Sequence, residues 1–473
     1  MNDVHLLNNG YIKVNAMYII RKTVLLLLAM GWQQVVWSQQ ALDRYIQMGL
    51  DQNLVIRDRQ VSLEKSLLAL KEARSLFLPN SFLDAQYTLA QGGRNISIPV
   101  GDLLNPVYQT LNQLTGTSKF PEIQNVSEQL LPNNFYDVRI RTSVPVINTA
   151  LKANRHVQEQ QVAIRENELQ QYQRELVRDI KTGYYQYLMA DRAIRIFENA
   201  LDVVEQNLRL NQSLLEHGKG LPAYVSRAEA EVVSVRNQLQ NARNEKDKAR
   251  AYMNVLLNRS LMDSIEIEEP GLEAMSTRAI SEDYDSIEGR EELKSLQLSR
   301  DIQSTIYRLN RSFRVPTVNA FLDLAAQDFD FRVNSSSFFY LGGVQLTMPI
   351  FSGNRNLYKI RNSELDIRQV ELQADQTRRQ LELAAFSARS NARNLHGNYL
   401  ASLRQEEAAV KYHKLIDRGY REGVNSFIEM LDARNQLTQS QLQSALNKFR
   451  FLAAMAEYER QTTAFTLSTP TNR

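Results

Sequence analysis

The 473-residue chain carries 56 basic and 53 acidic side chains, a formal net charge of +3, mixed along its length. That balance favours no polyanionic partner and leaves nucleic-acid binding without support. Cysteine is absent, which excludes disulfides, thiolate metal sites and a lipid-modified N-terminal cysteine, and is compatible with an oxidising compartment.

Arg21 and Lys22 precede an apolar run at residues 24–30, and small or polar residues follow to Ser38. Basic, apolar, then cleavable is the order of a secretory signal, so residues 1–38 are assigned to one, with Met17 as an alternative start. No later segment approaches about 18 consecutive apolar residues, so a membrane-embedded form of this chain must be a β-barrel.

Residues 41–77 have helical periodicity through Leu42, Ile46, Leu50, Leu63, Leu67 and Leu70, and stop at Leu78-Pro79. The period then becomes two over residues 82–89. It recurs more sharply where Tyr136, Val138, Ile140, Thr142 and Val144 alternate with Asp137, Arg139, Arg141 and Ser143. Residues 91–134 between them are rich in glycine, proline, asparagine and threonine and read as a long loop covering an outer mouth. After Pro145 the helical period returns at Thr149 and runs to His217, roughly 100 Å at 1.5 Å per residue. Its far half carries a heptad series, Ala190, Ile194, Phe197, Leu201, Val204, Leu208, Asn211 and Leu215. Val225, Val232, Val235 and Leu239 answer it in the next helix, the pattern of helices packed side by side.

An acidic connector, residues 260–288, separates this half (39–259) from a second (289–462), and a polar tail (463–473) ends the chain. The second half repeats the order: helix to Val315-Pro316, a strand through Val318 and Leu324, a strand through Tyr340, Val344 and Gln345, then Pro349, Gly353 and another long helix. Pro349 lies 204 positions after Pro145. Each long helix ends in a matching turn, GLPAYVSRAEA at residues 220–230 and GVNSFIEMLDA at residues 423–433. Gly220 and Gly423 are predicted to take the positive φ that closes a helix, Pro222 to sit at a helix start, and Ser426 and Glu429 to form a capping box. The fold class is therefore mainly α with a small β part, internally duplicated. Four strands cannot close a membrane barrel, since small barrels need about eight, so the strands require oligomerisation.

LKEARSLFLPN, the joints SVPVINTALKANR and TMPIFSGNRNLYKIR, the twin turns and the duplication together resemble the outer-membrane efflux proteins, the TolC-like channels. The resemblance covers essentially the whole mature chain. It implies a homotrimer with a twelve-stranded barrel in outer-membrane lipid and a helical barrel crossing the periplasm. Such a channel is the exit duct of a tripartite efflux or type I secretion machine, fed by an inner-membrane pump of RND or ABC type. It implies adaptor docking at the tip formed by Gly220, Leu221, Pro222, Gly423, Val424 and Asn425. It also places Tyr420 where the family holds its closed end with a tyrosine, an acid and a base; here the acid and base positions hold Ser226 and Asn425. Asp417, Arg418, Arg421 and Glu422 are the substitute gate candidates. Thr149 stands where the family often has the glycine that Gly353 matches. Asp137, Arg139, Arg141 and Gln345 are the expected lumen-facing residues of the barrel, more in keeping with interior solvation than with a selectivity filter.

No nucleophile elbow, phosphate loop or carboxylate pair is present, so no enzyme or cofactor is expected. His5, His156, His217, His396 and His413 lack metal-ligand spacing and read as solvated helix positions. The competing class, a soluble periplasmic scaffold or adaptor, would have no need for strands charged on one face and apolar on the other.

Overall fold

The computed structural model describes residues 40–269 and 287–462. The secretory segment, most of the connector and the polar tail lie outside the described residues. In chain order the elements are α1 (Gln40–Gln52), α2 (Leu54–Ser75), β1 (Asn80–Thr88), β2 (Asn95–Ile98), α3 (Val100–Thr115), β3 (Val126–Gln129), β4 (Phe135–Ile147) and α4 (Thr149–Glu216). There follow α5 (Pro222–Leu256), α6 (Glu291–Arg311), β5 (Thr317–Phe329), β6 (Phe338–Thr347), α7 (Arg355–Arg421) and α8 (Phe427–Thr462). The described residues divide into two compact units, one of residues 40–65, 163–269, 287–299 and 369–462, the other of residues 66–162 and 300–368.

The first unit is helical. Its core joins Leu42 and Ile46 of α1, Leu176, Ile180 and Tyr184 of α4, Met253 of α5 and Leu452 of α8. Ile265 of the connector is buried with them. The backbone there is held by Tyr45, whose hydroxyl accepts from the Glu266 amide at 2.8 Å, and by Tyr184, which accepts from the Glu268 amide at 3.0 Å. Burial pushes the Tyr184 phenol up to about 12.

The single helix expected over residues 41–77 is two. Asn53 interrupts it: its Oδ1 accepts from the amides of Val55 (2.9 Å) and Ile56 (3.3 Å), capping α2, while its Nδ2 donates to the Leu256 carbonyl at 2.9 Å. A buried asparagine that satisfies orphan donors at a helix start is more stable there than in a helix interior.

Where α6 starts, a buried ion network ties three helices. Arg290 donates to Glu292 at 2.7 and 3.0 Å, Arg460 of α8 to Glu292 at 2.9 Å and to Glu175 of α4 at 3.2 Å, and Arg174 of α4 to Glu291 at 2.7 Å. Burial opposes ionisation of Glu292, but the hydrogen bonds and charge of Arg290, joined by the charge of Arg460, outweigh it and hold the carboxyl at about 2.

The second unit is built on one antiparallel sheet of order β1-β4-β5-β6. The expected two hairpins are thus joined by β4–β5 pairing, running from Phe135↔Phe329 to Ile147↔Val318. Pro145 does not end its strand; it pairs with Asn319 beside a bulge at Pro145/Ile147, where a missing N–H is tolerated.

Residues 91–134 are not a structureless loop. β2 and β3 pair, and α3 is pinned to the returning chain by asparagines acting as surrogate backbone. Asn105 exchanges two hydrogen bonds with Ile123 (2.9 and 2.8 Å) and Asn112 two with Phe120 (2.8 and 3.1 Å).

Because the Glu292 carboxyl is depressed in the folded protein, its stabilisation is complete above about pH 4.5 and lost as pH falls toward 2, amounting to about 3 kcal/mol. Glu292→Gln should lower the thermal unfolding midpoint at neutral pH and flatten its decline between pH 4.5 and 2, as read by circular dichroism in detergent.

Candidate functional site: the helical turns and the charged sheet face

In the helical unit both turns close by the same device. After α4, the Lys219 amide reaches the Leu214 carbonyl at 2.8 Å and the Gly218 amide the Leu215 carbonyl at 3.0 Å. After α7, Val424 reaches Gly419 at 2.8 Å and Gly423 reaches Tyr420 at 3.1 Å. These are paired Schellman closures, with Gly218 at φ +73 and Gly423 at φ +78. The prediction for Gly423 holds, but Gly218, not Gly220, takes the left-handed conformation in the first turn. Gly220 is required for a different reason: a Cβ there would lie 2.6 Å from the Leu215 backbone nitrogen. The motif offset of 203 positions hid this, because the closing glycines are 205 apart.

The helix starts match expectation. Pro222 opens α5 after Leu221. At α8 the Ser426 amide donates to Glu429 at 2.7 Å, and the Glu429 amide to the Ser426 hydroxyl at 3.3 Å, a reciprocal capping box. The Ser426 amide first, then the Ser426 hydroxyl and the Asn425 side chain, draw the Glu429 carboxyl down. At the turn tips Leu221 and Val424 are exposed, Val424 at 80%.

Tyr420 is half-buried among Tyr224, Ala228, Phe427 and Met430, and its hydroxyl donates to Asn211 of α4 at 3.3 Å. Burial raises its phenol, against the Asn211 bond. Asn211 was visible only as a polar member of a heptad series. Asn425 does not meet Tyr420; its amide returns to Gly419 at 3.1 Å. The four charged gate candidates pair along their own helix, Asp417 with Arg421 at 3.1 Å and Arg418 with Glu422 at 2.9 Å.

Above this contact, Arg434 of α8 is 3% exposed and pairs with Glu231 of α5, a residue pair not singled out from sequence. Burial lowers the Arg434 guanidinium, and Glu231 opposes that. His413 on α7 is only partly solvated: burial lowers its pKa, Asp417 raises it and Arg434 lowers it further. His396 likewise packs on Phe451, ring centroids 5.0 Å apart.

In the sheet unit, the registers place Asp137, Arg139, Arg141 and Gln345 on one face. They are not simply solvated. Arg139 pairs with Asp137, and Arg141 makes a bidentate bond to Asp323 at 2.7 and 2.5 Å while lying over the Phe321 ring at 5.3 Å. The Asp323 side chain is 1% exposed. Asp323 sits directly opposite Arg141, but β4 and β5 are not joined by a hairpin, so no turn revealed that register. The other face presents Leu83, Val138, Ile140, Leu324 and Tyr340. At the joint into α7, Gly353 has φ +61, whereas Thr149 is the first residue of α4.

The fold thus combines paired long helices with matching turns and a small sheet apolar on one face and charged on the other. Solved structures share it. The outer-membrane channel OprN aligns with TM-score 0.71 and 15% identity over 90% of this chain and 92% of its own. VceC of Vibrio cholerae aligns with TM-score 0.71 and 14% identity over 90% and 98%. The Neisseria gonorrhoeae MtrE channel, described in its open state, aligns with TM-score 0.70 and 14% identity over 89% and 88%. No curated protein sequence matches. The profile of the outer membrane efflux protein family matches residues 125–259 and 284–459, and the chain belongs to that family.

Gly218→Ala should cost about 1 kcal/mol through its backbone conformation. Gly220→Ala should cost more, because backbone must move. Comparative unfolding and protease nicking at the first turn would check the order. Glu231→Gln, which strands the buried Arg434 charge, should cost about 3 kcal/mol, and Glu231→Met with Arg434→Met much less, a double-mutant comparison by denaturant unfolding.

Proposed function

We propose that the protein is the outer-membrane exit duct of a tripartite efflux or type I secretion system, conducting substrates passively from its periplasmic end to the exterior. The observation that carries this is the sheet. Its four strands have an apolar face, an ion-paired opposite face, and β1 and β6 at the ends of the order. An open edge is unsustainable in hydrocarbon, where each unpaired backbone group costs several kcal/mol. Three copies supply twelve strands and remove the edges. In this reading residues 39–259 and 289–462 are two repeats of one ancestral unit, residues 1–38 are a removed signal, and the helices extend into the periplasm.

The exposed Leu221 and Val424 at the turns are where an adaptor docks, and the inner-membrane pump behind it supplies the energy. Opening swings the α7–α8 hairpin away from α4–α5. Tyr420 and its bond to Asn211 are the contact that must release, and the Asp417, Arg418, Arg421 and Glu422 charges hold the α7 end helical until it does. Because the chain has no cysteine, a lock can be introduced cleanly. Asn211→Cys with Tyr420→Cys, bridged in cells by a cleavable bis-thiol reagent that spans the space the tyrosine ring fills, should abolish substrate export, and cleavage of the bridge should restore it. Export that proceeds at the same rate with the bridge formed would contradict the opening mechanism.

A further inference from the structure

All four strand-to-helix junctions lie at one end of the sheet, since Asn80 pairs with Ser143, Pro145 with Asn319 and Thr317 with Thr347. Charge at that end is far from the balance of the whole chain. The fourteen residues adjoining each strand, 66–79, 148–161, 303–316 and 348–361, hold two, two, three and three Lys or Arg, ten altogether, against two acids, Glu72 and Glu159. Glu159 lies 3.5 Å from Arg74 and 3.6 Å from Arg155. The other eight cations have no acidic partner among the described residues, and all are exposed. At the opposite end, residues 89–134 and 330–337 hold three basic and four acidic side chains. A second copy brings the same excess, so self-association cannot neutralise it.

Between the end of β6 and the first cation of α7, Ile350 and Phe351 are 81% and 87% exposed, continuing the apolar strand face through Leu346 and Met348. Apolar and aromatic side chains beside unpaired cations, at the rim of an apolar band, match the boundary between acyl chains and headgroups.

We propose that this junction is a belt that binds anionic phospholipid headgroups of the periplasmic leaflet, with Ile350 and Phe351 inserted among the acyl chains and Arg311, Arg314, Arg355 and Lys359 on the phosphates. The proposal rests on the membrane-barrel reading of the sheet. Each cation near an anionic surface contributes about fivefold in affinity. The belt fixes the depth at which the barrel sits.

The test uses full-length protein recovered from the outer-membrane fraction, reconstituted in nanodiscs of phosphatidylethanolamine and phosphatidylglycerol in equal parts, then released for native mass spectrometry. Retained lipid should be enriched in phosphatidylglycerol. The variant Arg311→Gln, Arg314→Gln, Arg355→Gln, Lys359→Gln should reduce that enrichment about tenfold or more, and high salt should do the same to the native protein. The control Arg94→Gln, Lys119→Gln, Arg332→Gln, at the other end of the sheet, should leave it unchanged. Equal retention of both lipids by the native protein overturns the belt while leaving the barrel intact. So does selective retention of lipopolysaccharide, or an equal loss in the control. A native protein absent from the outer-membrane fraction removes the barrel reading and the belt with it.

Discussion

A backbone amide or carbonyl in hydrocarbon must find a partner, and in the membrane-barrel reading proposed above this constraint governs the sheet on which the second unit is built. Each strand satisfies it laterally, so β1 and β6 pass the requirement to their outer edges. The side chains follow from the same geometry. Period-two alternation gives one face to Leu83, Val138, Ile140 and Leu324 and the other to Asp137, Arg139, Arg141 and Asp323. The charged face then solves its own problem by pairing, since a carboxylate as enclosed as Asp323 is tolerable only with the bidentate Arg141 against it.

How much of this was legible depended on whether the signal was local. Strand alternation, the helix starts at Thr149 and Pro222 and the Ser426–Glu429 box need only neighbouring residues, and each stands where the sequence put it. Gly423 was read correctly because it is the sole glycine of its motif and follows the helix it closes. Gly218 was missed because the first turn contains two glycines, and the motif match favoured the wrong one. Asn53 and the Asn105 and Asn112 bridges were missed for a related reason. Asparagine in a sequence signals a turn, and only the fold shows whether its amide is standing in for backbone. Arg141 and Asp323 lie 182 residues apart with no periodicity to connect them, and Glu231 and Arg434, the residues that follow the twin motifs at the 203-position offset, are marked by that offset as equivalent positions rather than as partners.

In the turn region Tyr420, which the resemblance implies at the closed end, bonds Asn211 on α4 of the same chain, and the nearby charges pair along α7. Surface pairs of that kind contribute little to stability. The stronger constraints on the hairpins are the apolar cluster around Phe427 and Met430 and the buried Arg434–Glu231 pair. The opening step proposed above therefore works against this packing and one neutral hydrogen bond.

The most direct measurement is the native mass of the protein extracted from the outer-membrane fraction in mild detergent. The account predicts a complex of three chains, each carrying four of the twelve strands that leave no edge open. A single chain, or a complex recovered in the soluble periplasmic fraction, would contradict it.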